Sequence, residues 1–171
     1  MAQSTPSAQQ QRMTALVHEI YSNAEAIEML LFNIFAGLSD GPWHQSRAIF
    51  FSQLNARARC DMIERLAEVS LMNEPDELEK IKKLIKRAKN AGRKRNTVTH
   101  GIWLTDNSGT EPEYRRGTIS PDMRNEVELG EAELRRDLKF MDEVVNEIWQ
   151  YNLTNRSKWF ARREAWRKLA K

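Results

Sequence analysis

The sequence predicts an all-α protein. We expect an up-and-down bundle of four to five helices, with a long loop or small hairpin before the last core helix and a basic C-terminal helix. Two observations support this prediction. Apolar residues recur at three- and four-residue steps along four stretches of the chain, which is the period of an amphipathic helix. Only 7 glycines and 5 prolines occur among 171 residues, whereas turn-rich sandwiches and barrels need more.

The chain length fits a single helical domain with tails. We expect a flexible tail over residues 1–12, a helical domain over 13–153 and a basic amphipathic helix over 154–171. The first residues, MAQSTPSAQQQR, contain no basic segment followed by an apolar run. No later stretch approaches the roughly 20 apolar residues that span a bilayer. We therefore expect a cytoplasmic protein with no membrane partner.

The first two helices are predicted over residues 10–38 and 43–72. Gly41 and Pro42 separate them, because proline disfavours helix at the residue before it. The apolar residues of the first helix are Met13, Leu16, Val17, Ile20, Ala24, Ile27, Leu31, Ile34 and Leu38. Those of the second are Phe51, Leu54, Ala58, Met62, Leu66 and Val69.

A third helix begins near Pro75, where a proline and two acids suit a first turn. Ala91 and Gly92 are expected to interrupt it. Residues 101–130 are rich in glycine and proline and predict a long loop, with a small hairpin pairing 102–105 with 114–119. The apolar residues of the third helix are Leu78, Ile81, Leu84, Ile85 and Ala88.

A further helix is predicted from residue 131 to about residue 152, followed by the basic tail RSKWFARREAWRKLAK. Trp159 and Trp166 are seven residues apart and share one helical face. We expect them to dock on the bundle or on a second subunit, ahead of RNA contact and of membrane-surface binding. The apolar residues of the last core helix are Leu134, Leu138, Met141, Val145 and Ile148.

Positive charge is concentrated although the net charge is only +3. From Lys80 to Arg95 the chain contains nine basic residues and no acid. Such blocks favour phosphate-rich partners. A basic helix face is ordinarily a solvated surface, but Lys86, Lys89, Arg93 and Lys94 adjoin residues 95–101, and this adjacency makes them a candidate path for RNA.

Three other residues with reactive side chains are expected to be structural. Cys60 is the single cysteine, cannot form an internal disulfide and is expected to be a small core residue in a reducing compartment. His18 and His44 have no Cys, His or carboxylate at metal-ligand spacing, so we expect surface or capping roles. We expect no metal site and no cofactor.

The most informative stretch is GRKRNTVTHGIW, residues 92–103. An arginine followed by a histidine at this spacing is weak evidence alone, since it occurs by chance about one time in four. Asn96 and Gly101 each match by chance about one time in twenty. The whole pattern RNxxxHG is thus expected by chance on the order of one time in a thousand.

This stretch resembles the signature of the HEPN superfamily (higher eukaryotes and prokaryotes nucleotide-binding). That signature is Arg, four to six residues, then His, with Asn commonly after Arg, in a bundle of four or five helices. Arg95, Asn96 and His100 match it, and Gly101 with Trp103 is similar to the residues after the histidine in many bacterial members. The order of elements matches over roughly residues 13–152.

The resemblance implies a metal-independent endoribonuclease that acts as a homodimer, with two copies of the motif facing one another. By family analogy it implies a toxin or antiviral effector, with an antitoxin or other protein partner. Some members lack activity. The alternative is therefore a non-catalytic HEPN-like module that binds RNA or protein through a dimer interface, and the third interpretation is a plain helical interaction protein.

Chemistry supports the same two catalytic residues. Histidine can take or give a proton near neutral pH, because its unperturbed pKa is about 6.5. Arg95 suits a phosphate, since it is always charged and donates two parallel hydrogen bonds. One histidine per chain cannot easily act as both base and acid, so a second copy of His100 would supply the missing group.

If residues 95–100 are helical, Asn96 and His100 share a face and the amide can orient the imidazole. Arg95 would then point about 140° away. Three alternatives stay open: the side chain reaches back, the segment bends, or Arg95 serves a site completed by another chain. A structural interpretation also stands, in which Gly101 ends a helix and His100 lies near the negative end of its dipole.

Asp61 is the last candidate. It lies four residues before Arg65 at the edge of the second helix's apolar face, and structural ion pairs are the usual case at this spacing. Some HEPN members have a polar residue on an earlier helix that supports the motif. The resemblance makes Asp61 a candidate for that supporting role.

Overall fold

A computed structural model describes residues 8–39, 41–99, 101–106, 113–118 and 130–169 of the chain and confirms the all-α bundle. Among these residues, no helix is both long and apolar enough to cross a membrane. The helices are α1 (Ala8–Leu38), α2 (Trp43–Ser52), α3 (Ala56–Ser70), α4 (Pro75–Thr99) and α5 (Glu131–Leu169), and the strands are β1 (Gly101–Asp106) and β2 (Glu113–Thr118).

Helix α1 lies at the centre of the bundle. It begins at Ala8, inside the tail predicted over residues 1–12. Its last part is buried on nearly every side, because α3, α4 and α5 all pack against it. Contacts between α1 and α5 show that the two helices run parallel, since Arg12 pairs with Glu131 and Leu30 meets Asn152. The buried residues at the end of α1 are Leu30, Leu31, Phe32, Ile34, Phe35, Ala36, Gly37 and Leu38.

The predicted second helix is two helices. α2 ends at Ser52 and α3 begins at Ala56. Asn55 makes this break, because its extended backbone stands outside the helix and its side chain accepts a hydrogen bond from the Ala58 N–H at 2.8 Å. The apolar face predicted for one continuous helix is therefore wrong at three positions. Phe51, Leu54 and Val69 are all exposed.

Helix α4 does not break at Ala91 and Gly92, where an interruption was predicted. A single glycine costs a helix about 1 kcal/mol relative to alanine, which does not end it when the flanking residues are buried. Ala91 and Val98 are both buried. Near the end of α4, the Thr99 hydroxyl donates to the Arg95 carbonyl at 2.8 Å. Residues 95–99 of the motif are consequently helical.

The predicted hairpin follows α4 directly. β1 and β2 pair in an antiparallel register, with Ile102 opposite Gly117 and Thr105 opposite Tyr114. This confirms the predicted pairing up to Thr118; Ile119 lies outside the described residues.

Helix α5 continues past Asn152, where the last core helix was expected to end, and reaches Leu169. The predicted basic C-terminal helix is the final part of α5, and the boundary expected at residue 153 falls inside it. Asn152 ties the middle of α5 to α1 by donating to the Leu30 carbonyl at 3.0 Å. Trp159 packs over Gly37 of α1, which confirms docking for this tryptophan. The Trp166 side chain lies outside the described part.

We predict that Gly37→Ala destabilises the fold. A Cβ at position 37 would lie closer than 3.0 Å to three atoms of the Trp159 indole, so α5 must shift from α1. Overpacking of this kind costs about 1–3 kcal/mol, which denaturant unfolding measures.

The matched control is the other helical glycine, Gly92, where an added Cβ meets no atom within 4 Å. Gly92→Ala should raise the free energy of unfolding by about 0.5–1 kcal/mol. Equal effects of the two substitutions would contradict the packing described for Trp159.

Candidate nucleic-acid interface

A groove of about 800 Å³ lies between α1, the start of α3 and the second half of α4. We call it the α4 groove. Its deepest residues are apolar and belong to the core, whereas its rim is polar and mostly basic. The apolar residues include Ile27, Leu31, Cys60, Ala88 and Ala91, and the polar ones are Glu28, Asn55, Arg57, Arg59, Lys89, Arg93, Arg95 and Asn96.

The first two residues of the motif line this groove together. Val98 is fully buried and anchors the last turn of α4, which leaves Arg95 and Asn96 on the groove side. Arg95 Nη1 donates to Asn96 Oδ1 at 3.2 Å. Arg95 thus contacts its neighbour on the helix; because His100 lies outside the described residues, the three alternatives for Arg95 stay open.

This contact determines how Asn96 can act. Arginine only donates hydrogen bonds, so the Asn96 oxygen faces Arg95 and its Nδ2 is the atom left to donate elsewhere. His100 lies outside the described residues. The contact between Asn96 and His100 therefore stays a prediction.

Some of the cations in the groove are neutralised by nearby acids. Arg59 pairs with Glu28 of α1. Lys89 lies between two carboxylates of α3, 2.8 Å from Asp61 and 2.7 Å from Glu64. The hydrogen bond from Lys89 lowers the pKa of Asp61 below its ordinary value, so this carboxylate is ionised at neutral pH. These pairs join α4 and α1 to α3.

Three other arginines in the groove have no such partner. Among the described residues, no carboxylate lies within 4.0 Å of the guanidinium groups of Arg57, Arg93 or Arg95. Arg57 and Arg93 are also exposed. The groove therefore has an excess of positive charge with planar hydrogen-bond donors, which is the arrangement that binds phosphate oxygens. Arginines outside the groove that do pair with acids include Arg12, Arg87, Arg135 and Arg136.

The four residues predicted to bind RNA divide between two faces of α4. Lys89 and Arg93 line the groove. Lys94 faces α5, where it pairs with Asp137 and lies 5.3 Å from the centre of the Phe140 ring. Lys86 is exposed and does not line the groove. Part of the basic face thus joins α4 to its neighbours.

Asp61 is not paired with Arg65, the partner that its spacing predicted. The ion pair in the structure joins Asp61 to Lys89, because α4 passes alongside α3 and brings the lysine nearer. Asp61 does not line the groove itself. Any support that it gives to the motif passes through Lys89.

Sequence reasoning missed the contribution of α3 and α1, namely Arg57, Arg59 and Glu28. One signal was present. Asn55 is a typical N-cap, and it places Arg57 in the first turn of a helix, where the positive end of the helix dipole disfavours a cation. An arginine at this position was therefore a signal worth examining, although its charge also acts on Asp61 one turn along α3.

Burial distinguishes the three remaining residues, and Cys60 is a core residue as predicted. Cys60 is buried, and burial raises the pKa of its thiol to about 12. His18 and His44 are exposed, which confirms that they lie on the surface. Within the described ranges, no three His, Cys, Asp or Glu side chains are grouped to hold a metal ion.

Comparison with known protein families, curated proteins and solved structures finds no match to this chain. The HEPN resemblance rests on residues 92–103 and the order of helices. What this resemblance implies about activity is therefore a proposal.

We predict that Cys60 resists alkylation although it lines the groove. The thiolate is the reactive species, and a pKa of about 12 leaves little of it at mildly alkaline pH. Iodoacetamide should modify the folded protein on the order of a hundred times more slowly than the urea-unfolded chain. Mass spectrometry follows the rates, and similar rates in both states would mean that Cys60 is accessible and reactive.

Proposed function

We propose that this protein is a metal-independent endoribonuclease of the HEPN type. The observation that supports the proposal is the placement of Arg95 and Asn96 in the α4 groove beside Arg57 and Arg93. Arg95 and Asn96 of the motif therefore lie beside two further arginines. RNA is the polymer whose own 2′-OH can attack the adjacent phosphate, so its cleavage requires proton transfer and charge stabilisation only.

In the proposed reaction, the 2′-oxygen loses its proton and forms a bond to phosphorus, while the bond from phosphorus to the 5′-oxygen breaks. The 5′-oxygen gains a proton. The products are a 2′,3′-cyclic phosphate and a 5′-hydroxyl. His100 carries one of the two proton transfers, and Arg95 stabilises the charge that develops on the phosphate oxygens. A second copy of the chain, in a homodimer, supplies the other histidine.

Asn96 has a defined positioning role in this scheme. Arg95 Nη1 donates to the Asn96 oxygen, so the Nδ2 of Asn96 is free to donate to an unprotonated ring nitrogen of His100 and so to orient the imidazole. Asp61 supports the groove through Lys89.

The alternative is a non-catalytic module of the same fold that binds RNA or a protein partner through a dimer interface. The excess of positive charge in the groove favours RNA binding whether or not cleavage follows. A role as a toxin or antiviral effector, with an antitoxin, rests on the family analogy alone.

We predict that His100→Ala and Arg95→Ala each reduce RNA cleavage in EDTA by at least about a hundredfold, because each removes a group from the reacting centre. End-labelled RNA resolved on denaturing gels measures the rate and identifies the cyclic phosphate. His44→Ala and Arg65→Ala are matched controls, since both residues are exposed and outside the groove.

Undiminished cleavage by both motif variants would show that the site lies elsewhere. RNA binding by the unaltered protein without any cleavage would instead support the non-catalytic module.

We also predict that Arg57→Gln and Arg93→Gln weaken binding of single-stranded RNA. Each variant should lower the slope of log K against log salt concentration by about 0.7, because one phosphate contact and its released counterion are lost. Fluorescence anisotropy over a salt series measures this slope.

Arg65→Gln, on α3 but outside the groove, removes the same charge and should leave the slope unchanged. An equal decrease in all three variants would mean that RNA responds to overall charge rather than to the groove.

A further inference from the structure

Nothing in the described part of the structure requires a glycine at position 92. It lies inside the 25-residue helix α4, where glycine costs about 1 kcal/mol relative to alanine. Its φ is not in the left-handed region, so the backbone does not require it. No described residue packs against its missing side chain, since an added Cβ meets no atom of that part of the chain within 4 Å. Gly37, by contrast, makes room for Trp159.

The open space at Gly92 belongs to the α4 groove. Gly92 lines the groove one helical turn before Arg95 and Asn96, and Arg57 of α3 lines it as well. A larger side chain at position 92 would occupy part of the groove. The missing side chain thus leaves the groove open beside Arg95 and Asn96.

The shape and charge of the groove favour a single nucleotide over a duplex. A volume of about 800 Å³ lies in the range of roughly 300–1,000 Å³ that holds a small ligand. Leu54 lines the groove with an exposed apolar side chain that can contact the face of a base, while arginines surround it. In a duplex the bases are stacked and paired, so only an unpaired base can enter.

We propose that the α4 groove is a subsite for one unpaired nucleotide of the RNA substrate, with its base beside Gly92 and its flanking phosphates on Arg57 and Arg93. This inference rests on the proposed action on RNA and specifies its substrate class. Because Arg95 lies one turn beyond Gly92, the phosphate next to the bound base is the one that reaches the motif. Cleavage is therefore directed to single-stranded segments and loops.

The test fills the groove without removing charge. Gly92→Leu should lower the affinity for a short labelled single-stranded RNA by about tenfold or more, the size expected for loss of one base contact. Its melting temperature should equal or exceed that of the unaltered protein. Asn146→Leu, a neutral and exposed position on α5 outside the groove, should change neither quantity. The same RNA annealed to its complement should bind more weakly to the unaltered protein than the single strand does.

The outcomes distinguish failure of the subsite proposal from failure of the proposed ribonuclease activity. If Gly92→Leu binds and cuts RNA as well as the unaltered protein, the subsite is wrong and the ribonuclease stands. If the unaltered protein binds RNA but never cuts it, the ribonuclease is wrong, and loss of binding in Gly92→Leu still supports the subsite. Absence of any RNA binding overturns both. If Gly92→Leu melts at a lower temperature than the unaltered protein, the RNA affinity of Gly92→Gln is measured instead. Glutamine also fills the groove, but its side chain is flexible and polar. Loss of binding in Gly92→Gln supports the subsite, and unchanged binding contradicts it.

Discussion

Burial of the second half of α1 among α3, α4 and α5 is the constraint on which the rest of the structure depends. Ile27 and Leu31 are core residues and also line the α4 groove. The groove therefore cannot widen or close without disturbing the core. Glu28, between them, pairs with Arg59 and ties the start of α3 to α1. The position of Arg57 relative to the motif is consequently set by the packing of the bundle.

The basic residues of helix α4 fall into two groups, those that pair with acids of neighbouring helices and those that do not. Lys89 and Lys94 are paired with acids of α3 and α5, and Arg87 lies 2.7 Å from Glu147. Partly exposed pairs contribute about 0–1 kcal/mol each, so they mainly fix how the helices are aligned. Arg93 and Arg95 have no acidic partner among the described residues. Their charge remains available for a ligand.

The sequence predicted what depends on local patterns and missed what depends on contacts between distant segments. Periodicity identified α1 and α4, and turn residues identified the hairpin. The break between α2 and α3 depends on one side-chain hydrogen bond from Asn55, which a continuous apolar pattern hides. The glycine at position 92 predicted a helix end because sequence alone does not show that Ala91 is buried. Sequence reasoning missed Arg57 because α3 and the motif are distant in the chain, and only folding brings them together.

Binding of RNA phosphates by Arg57, Arg93 and Arg95 of the α4 groove is central to the proposed function. The most direct measurement is NMR of the arginine Nε–Hε groups during titration with single-stranded RNA whose 2′-hydroxyls are methylated and cannot be cut. The signals of Arg57, Arg93 and Arg95 should shift together and saturate, while those of Arg12, Arg135 and Arg136, already paired with acids, should not. Shifts confined to arginines outside the groove would contradict phosphate binding in the groove.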